Sequence, residues 1–247
     1  MKETPTIESV VTQAQAPLAL ADIQGIIVAA TDSSAMAEIA ALSGSGFLAR
    51  LQLMTSASPE CKSGAFPINN YALVSGSDLQ NIGPRVEVIA FCGRTKALDM
   101  SGDKVISNFT PAIVDGKITN AEFLDIAVRS GMPDSKCMFG PEYLVWLPAQ
   151  KSWATLFFGS KTMRNEAPKM SRLVGQPTTL TSQRIANKKY EWFSLAISPS
   201  NVPPANMPTA ADATAQIQRF KDEQVREEEV ADDEARAAGK AMAAQDR

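Results

Sequence analysis

The chain has 247 residues, with 24 Lys and Arg against 27 Asp and Glu, three Cys and no His. A hydrophobic share of 45% supports a folded core and excludes wholesale disorder. Without histidine the chain alone builds no Ser-His-Asp triad, Cys-His pair or His-ligated zinc site. The expectation is binding rather than catalysis, with no cofactor and no metal.

Charge divides the chain into zones. Residues 1–40 hold one base, Lys2, and five acids, whereas residues 41–205 hold 17 bases and 12 acids. Residues 206–247 return to ten acids and six bases. A net charge of −3 therefore conceals a basic middle between two acidic ends. Cys61, Cys92 and Cys137 form no CxxC pair, and a sparse, odd set of thiols fits a reducing compartment. With neither a secretory h-region nor an apolar run long enough for a membrane, the chain is expected to be cytoplasmic.

In chain order, residues 1–43 read as an N-terminal arm or packed helix. Asp32-Ser33-Ser34 caps a helix over Ala35 to Leu42, and Gly44 ends it. Residues 44–197 form a β-rich basic core domain. Phe47 to Met54, Tyr71 to Val74 and Val86 to Phe91 are strands, bounded by Gly76, Gly83-Pro84 and Gly93. Asp115-Gly116 marks a turn. Thr119-Asn120-Ala121-Glu122 is a capping box opening a helix that carries Phe123, Ile126 and Ala127 on one side and stops before Gly131.

Tyr143 to Leu147 and Trp153 to Phe158 then form a hairpin around Pro148-Ala149-Gln150-Lys151. A helix starting at Ser160 is expected to end or kink at Pro168. Thr178 to Ile185 and Tyr190 to Ile197 are two further strands joined by Ala186-Asn187-Lys188-Lys189. Residues 198–209 are a Pro-rich linker. Residues 210–247 read as an exposed, flexible, acidic and Ala-rich tail, partly helical, whose few large apolar residues sustain no heptad. The expected class is mainly β (α+β). Three strands, a helix and two strands suggest an OB-like small antiparallel barrel with an inserted helix, plus an appended β-hairpin.

Nine of the sixteen aromatics fall between Phe139 and Phe193, including every Trp. Between 161 and 189, seven bases face one acid, Glu166. Cations meet phosphates and flat rings stack on splayed bases, so this mixture suits a single-strand groove. Alternation separates the faces, and polar or charged neighbours mark Trp153, Tyr190 and Trp192 as the rings expected to be exposed. The cations are Arg94 and Lys96, read as lying in a loop after a strand end, with Lys161, Arg164, Lys169, Arg172, Arg184, Lys188 and Lys189.

Sharper motifs fail. Gly159-Ser160-Lys161-Thr162 lacks both glycines of a phosphate loop, and Gly44-Ser45-Gly46 lacks the third glycine of a dinucleotide fingerprint. Asp99-Met100-Ser101-Gly102-Asp103 lacks the later Glu of an EF-hand.

The leading expectation is a single-stranded nucleic-acid-binding protein, DNA first, with weak sequence specificity. Its acidic tail would compete for the groove or recruit replication or repair proteins. This layout is similar in architecture to replication-type single-strand binders, in which a barrel precedes an acidic C-terminus. The alternative is a virion or assembly scaffold whose copies associate through the aromatic hairpin.

Overall fold

The computed structural model describes residues 23, 26, 48–76, 78–99, 106–108, 113–114, 117–118, 121–132, 135–186 and 191–222. The helix expected over Ala35 to Leu42 lies outside them. In chain order come β1 (Ala49–Leu53), α1 (Pro59–Lys62), β2 (Tyr71–Ser75), β3 (Asp78–Gly83), β4 (Arg85–Asp99), β5 (Ile106–Asn108), β6 (Ile113–Val114) and β7 (Lys117–Ile118). There follow α2 (Ala121–Arg129), β8 (Cys137–Leu147), β9 (Ser152–Phe157), α3 (Lys161–Arg172), β10 (Pro177–Ala186), β11 (Glu191–Pro199) and α4 (Ala210–Asp222). The fold is α+β and mainly β, with no helix among the described residues long and apolar enough to cross a membrane.

Eight strands pair in the order β11-β10-β4-β8-β9-β1-β2-β3, with β5 added on β4 and β6–β7 a separate two-stranded ribbon. All the main pairs are antiparallel except β1 with β9. The sheet is mixed and its hydrogen-bonded order is open, so the closed antiparallel barrel is not what the ladders form.

It is nevertheless strongly coiled. Only Pro84 separates β3 from β4, a reach of about 7.6 Å at most, whereas five strand spacings in a flat sheet would put them about 24 Å apart. The same curvature lets Tyr71 Oη on β2 donate to the Thr181 carbonyl on β10 at 3.0 Å.

Curling divides the core in two by the period of the strands. Tyr143, Val145 and Leu147 of β8 face inward with Val86, Val88 and Ala90 of β4, Leu51, Leu53, Tyr71 and Leu73 of β1 and β2, and Ala167 and Met170 of α3. Leu144 and Trp146 face outward with Ile89 and Phe91, under Ala213, Ile217 and Phe220 of α4 and Ile23. The chain after 210 was expected to be an exposed tail. Its first thirteen residues instead form a docked helix, because Ala213, Ile217 and Phe220 recur at helical spacing and meet this outer face.

Two elements run past residues expected to interrupt them. Gly93 does not end a strand: a Cβ there would lie 2.9 Å from Tyr143 Cε1, so glycine at this position makes room for a ring on the paired strand. Pro168 does not end α3 either. The loss of its N–H is outweighed by the burial of Ala167 and Met170, and the Tyr143 hydroxyl reaches the Ala167 carbonyl and Ser171 Oγ. The α2 helix buries Phe123 and Ile126 against Ala97, Cys137 and Phe139.

Candidate nucleic-acid interface

The described residues among those singled out from the sequence fall into three places rather than one groove. Arg94 and Lys96 belong to the interior of β4, not to a loop after it. A register shift between Ala90 and Cys92 puts both Phe91 and Cys92 against the outer core. Residues 94 and 96 follow in phase and also face outward, whereas strict alternation from Ala90 would have turned them inward. There they meet Glu142, directly opposite Arg94 on β8.

Arg94 binds Glu142 Oε2 through Nε at 2.8 Å and Nη2 at 2.7 Å, and Lys96 Nζ binds Oε1 at 3.0 Å. The Glu142 side chain is 1% exposed, Arg94 8% and Lys96 14%. Arg94 also donates to the Phe220 carbonyl near the end of α4, and its guanidinium carbon lies 3.8 Å from the Phe220 ring centroid. A cation suits this site, where the last carbonyls of a helix carry partial negative charge. These two bases serve the protein's own interior and the docking of α4.

Trp153 is the second correction. Its face of β9 is the outer one, but that face is roofed rather than open. The ring packs edge-on to Phe91 at 4.8 Å and tilted against Trp146 at 5.2 Å, and Nε1 donates to Asp212 Oδ2 of α4 at 2.7 Å. Burial beside it raises the Cys92 thiol to about 12, although Lys221 and Arg94 pull the other way. The faces of β8 and β9 line the two cores, so the hairpin proposed for self-association is largely spent on internal packing.

Helix α3 carries the next group. Ser160 caps it by accepting from the Met163 N–H at 3.3 Å. Arg164 turns inward, with Nη1 donating to the Phe139 and Gly159 carbonyls, both at 2.6 Å. Lys161, Lys169 and Arg172 are exposed, and Lys169 pairs with Glu166 at 2.8 Å. Glu166 in turn accepts from the Ile197 N–H, tying α3 to β11.

The third group is a ribbon. Strands β10 and β11 pair over nine residues, from Thr178–Pro199 to Ala186–Glu191, but β4 flanks β10 only from Pro177 to Thr181. The stretch Ser182–Ala186 with Glu191–Leu195 projects beyond β4. It holds Arg184, exposed and paired with Glu191, and the partly buried rings of Trp192 and Phe193, neither of which joins a core cluster. The Arg184 hydrogen bond holds the Glu191 carboxyl below its ordinary range. Lys188, Lys189 and Tyr190 lie outside the described residues.

Sequence reasoning missed Glu142 and Phe193. The signal for Glu142 was an acid inside an otherwise apolar run, a pattern that demands a cation across the sheet. Among the described residues, no group of three or more Cys, Asp or Glu gathers to hold a metal. Comparison with protein-family models, with curated proteins and with solved structures finds no match to this chain.

Proposed function

We propose that the chain is a cytoplasmic protein that binds single-stranded nucleic acid, DNA first, with weak sequence specificity, through the projecting β10–β11 ribbon. The observation that carries this reading is the ribbon itself: two strands extending past β4 with Arg184, Trp192 and Phe193 outside the cores. Its connecting residues 187–190 add Lys188, Lys189 and Tyr190. Cations for phosphates and rings for bases are thus concentrated on one element.

Connectivity supports the same reading. Strands β4, β8 and β9, then α3, then β10 and β11 follow the order of an OB-like core, with β4 paired to both β8 and β10. The meander β1–β3 stands beyond β9, where such a barrel would otherwise close. In OB folds the loop between the last two strands contacts the oligonucleotide. Docked α4 fixes the origin of the acidic segment, leaving residues 223–247, with Glu227-Glu228-Glu229 and Asp232-Asp233-Glu234, to compete with the strand or recruit a partner.

The test is fluorescence anisotropy of a labelled oligo-dT of about 20 nucleotides, longer than the site of one OB fold. Binding at low salt should weaken steeply as salt rises, and Lys188→Glu with Lys189→Glu should weaken it at least about tenfold. A full-length chain that leaves the probe free at low salt ends this reading.

A further inference from the structure

The two rings of the ribbon point opposite ways. Residues directly opposed on antiparallel strands share a face, and successive residues alternate. The pairs Leu180–Ile197, Ser182–Leu195, Arg184–Phe193 and Ala186–Glu191 therefore share one side, and Leu180, Leu195 and Ile197 carry that side into the inner core. The pairs Gln183–Ser194 and Ile185–Trp192 lie on the reverse. A strand crossing the ribbon meets one ring or the other.

Charge distinguishes the sides. Within the projecting part, the reverse face carries Trp192 with Gln183 and Ile185 beside the buried Ser194, and none of these four is a cation. The core side presents Phe193 directly across from Arg184, whose side chain is 65% exposed. A ring and a guanidinium side by side offer both contacts that a nucleotide makes, one to its base and one to its phosphate. Glu191 already sits on that guanidinium. Carboxylate and phosphate oxygens accept from the same fork of donors, and an exposed ion pair is weak enough to exchange.

Resting on the single-strand reading above, we propose that the strand crosses the Arg184–Phe193 side, stacking a base on Phe193 and a phosphate on Arg184, and that Glu191 occupies the phosphate's position in the free protein. Glu191 thereby sets the affinity. The direction of both titrations agrees, since each partner of the pair holds the other in its charged form.

The experiment uses the full chain and the same oligo-dT probe. Glu191→Gln leaves Arg184 without its competitor, so binding should tighten several-fold. The salt slope should steepen by about 0.7, the value of one more phosphate contact on a single strand. Phe193→Ala should lose about tenfold, within the range for one stacked base, while Trp192→Ala changes binding less than about twofold. Thermal unfolding of each variant near that of the wild type keeps these effects separate from folding. A larger loss from Trp192→Ala than from Phe193→Ala, or no tightening from Glu191→Gln, overturns this assignment and leaves the single-strand reading standing. A wild-type chain that does not bind overturns both.

Discussion

Replacing Glu142 by Leu keeps the volume of the side chain and removes a buried carboxylate that pairs with both Arg94 and Lys96. Breaking a buried ion pair by deleting one partner costs about 3–5 kcal/mol, mostly from the stranded charge. Lys96 is 14% exposed and can withdraw toward water, whereas Arg94, 8% exposed, is held beneath α4. Arg94 loses its buried carboxylate but keeps the Phe220 carbonyl, which places the cost near the lower end, about 3 kcal/mol. With a urea m-value of about 2 kcal/mol/M, the unfolding midpoint should fall by about 1.5 M. The double variant Glu142→Leu with Arg94→Met leaves neither member of the main pair and should recover much of that loss. Urea titration followed by tryptophan fluorescence reads all three chains. A midpoint for Glu142→Leu within about 0.3 M of the wild type would refute the reasoning, since the shift would then be about 0.6 kcal/mol. So would a double variant no more stable than the single one.

Asp212→Ala removes the acceptor for Trp153 Nε1 and should cost about 1 kcal/mol while speeding protease cleavage in residues 200–209; an unchanged cleavage rate would count against a docked α4. Gly140→Ala would place a Cβ 2.1 Å from the Phe158 carbonyl oxygen, a backbone atom with nowhere to move, so a loss of about 3 kcal/mol or more is expected in the same titration. Native Cys92 should react with a disulfide reagent at pH 8 far more slowly than in urea, because burial has raised its thiol to about 12. The sign for stability follows: a neutral Cys92 is favoured in the fold, so its contribution is present below the unfolded value near 8.5 and is lost between there and about 12. Cys92→Ala should flatten the alkaline fall in melting temperature, and a parallel fall would argue against it.

Local pattern carried much of the strand content. The runs at Tyr71, Val86, Tyr143, Trp153, Thr178 and Tyr190 overlap β2, β4, β8, β9, β10 and β11, because period-two alternation and flanking turn residues are properties of the segment itself, although β4 and β8 run well beyond the stretches expected. The polar β3 gives no such signal: Asp78, Leu79, Gln80, Asn81, Ile82 and Gly83 lie at the edge of the sheet, where burial does not select apolar residues. Pairing order was less legible. The sequence-based count took β1, β2 and β4 as the first three strands of an OB-like order, whereas the ladders join β4 to β8 and β8 to β9 and set β1 and β2 beyond β9. Which strand lies beside which depends on curvature, and the one-residue link at Pro84 reveals that curvature only when the sheet order is known.

Trp153 shows why the site was harder to read than the fold. Alternation on β9 correctly separates Trp153 from Ala154 and Leu156, since one side enters the inner core and the other does not. The step from that side to exposure assumes a sheet covered on one face only. Here α3 packs within the curl and α4 covers the outside, so two-face alternation separates one core from another rather than protein from water. The same roof consumes Arg94, whose charge is balanced by Glu142 and by the end of α4. Exposed side chains recur toward the far end of the ribbon, at Gln183, Arg184, Ala186 and Glu191, past the Thr181–Arg85 pair at which β4 begins. For this chain, a basic or aromatic side chain is available to a ligand according to how far along its strand it lies as well as which side of the strand it occupies.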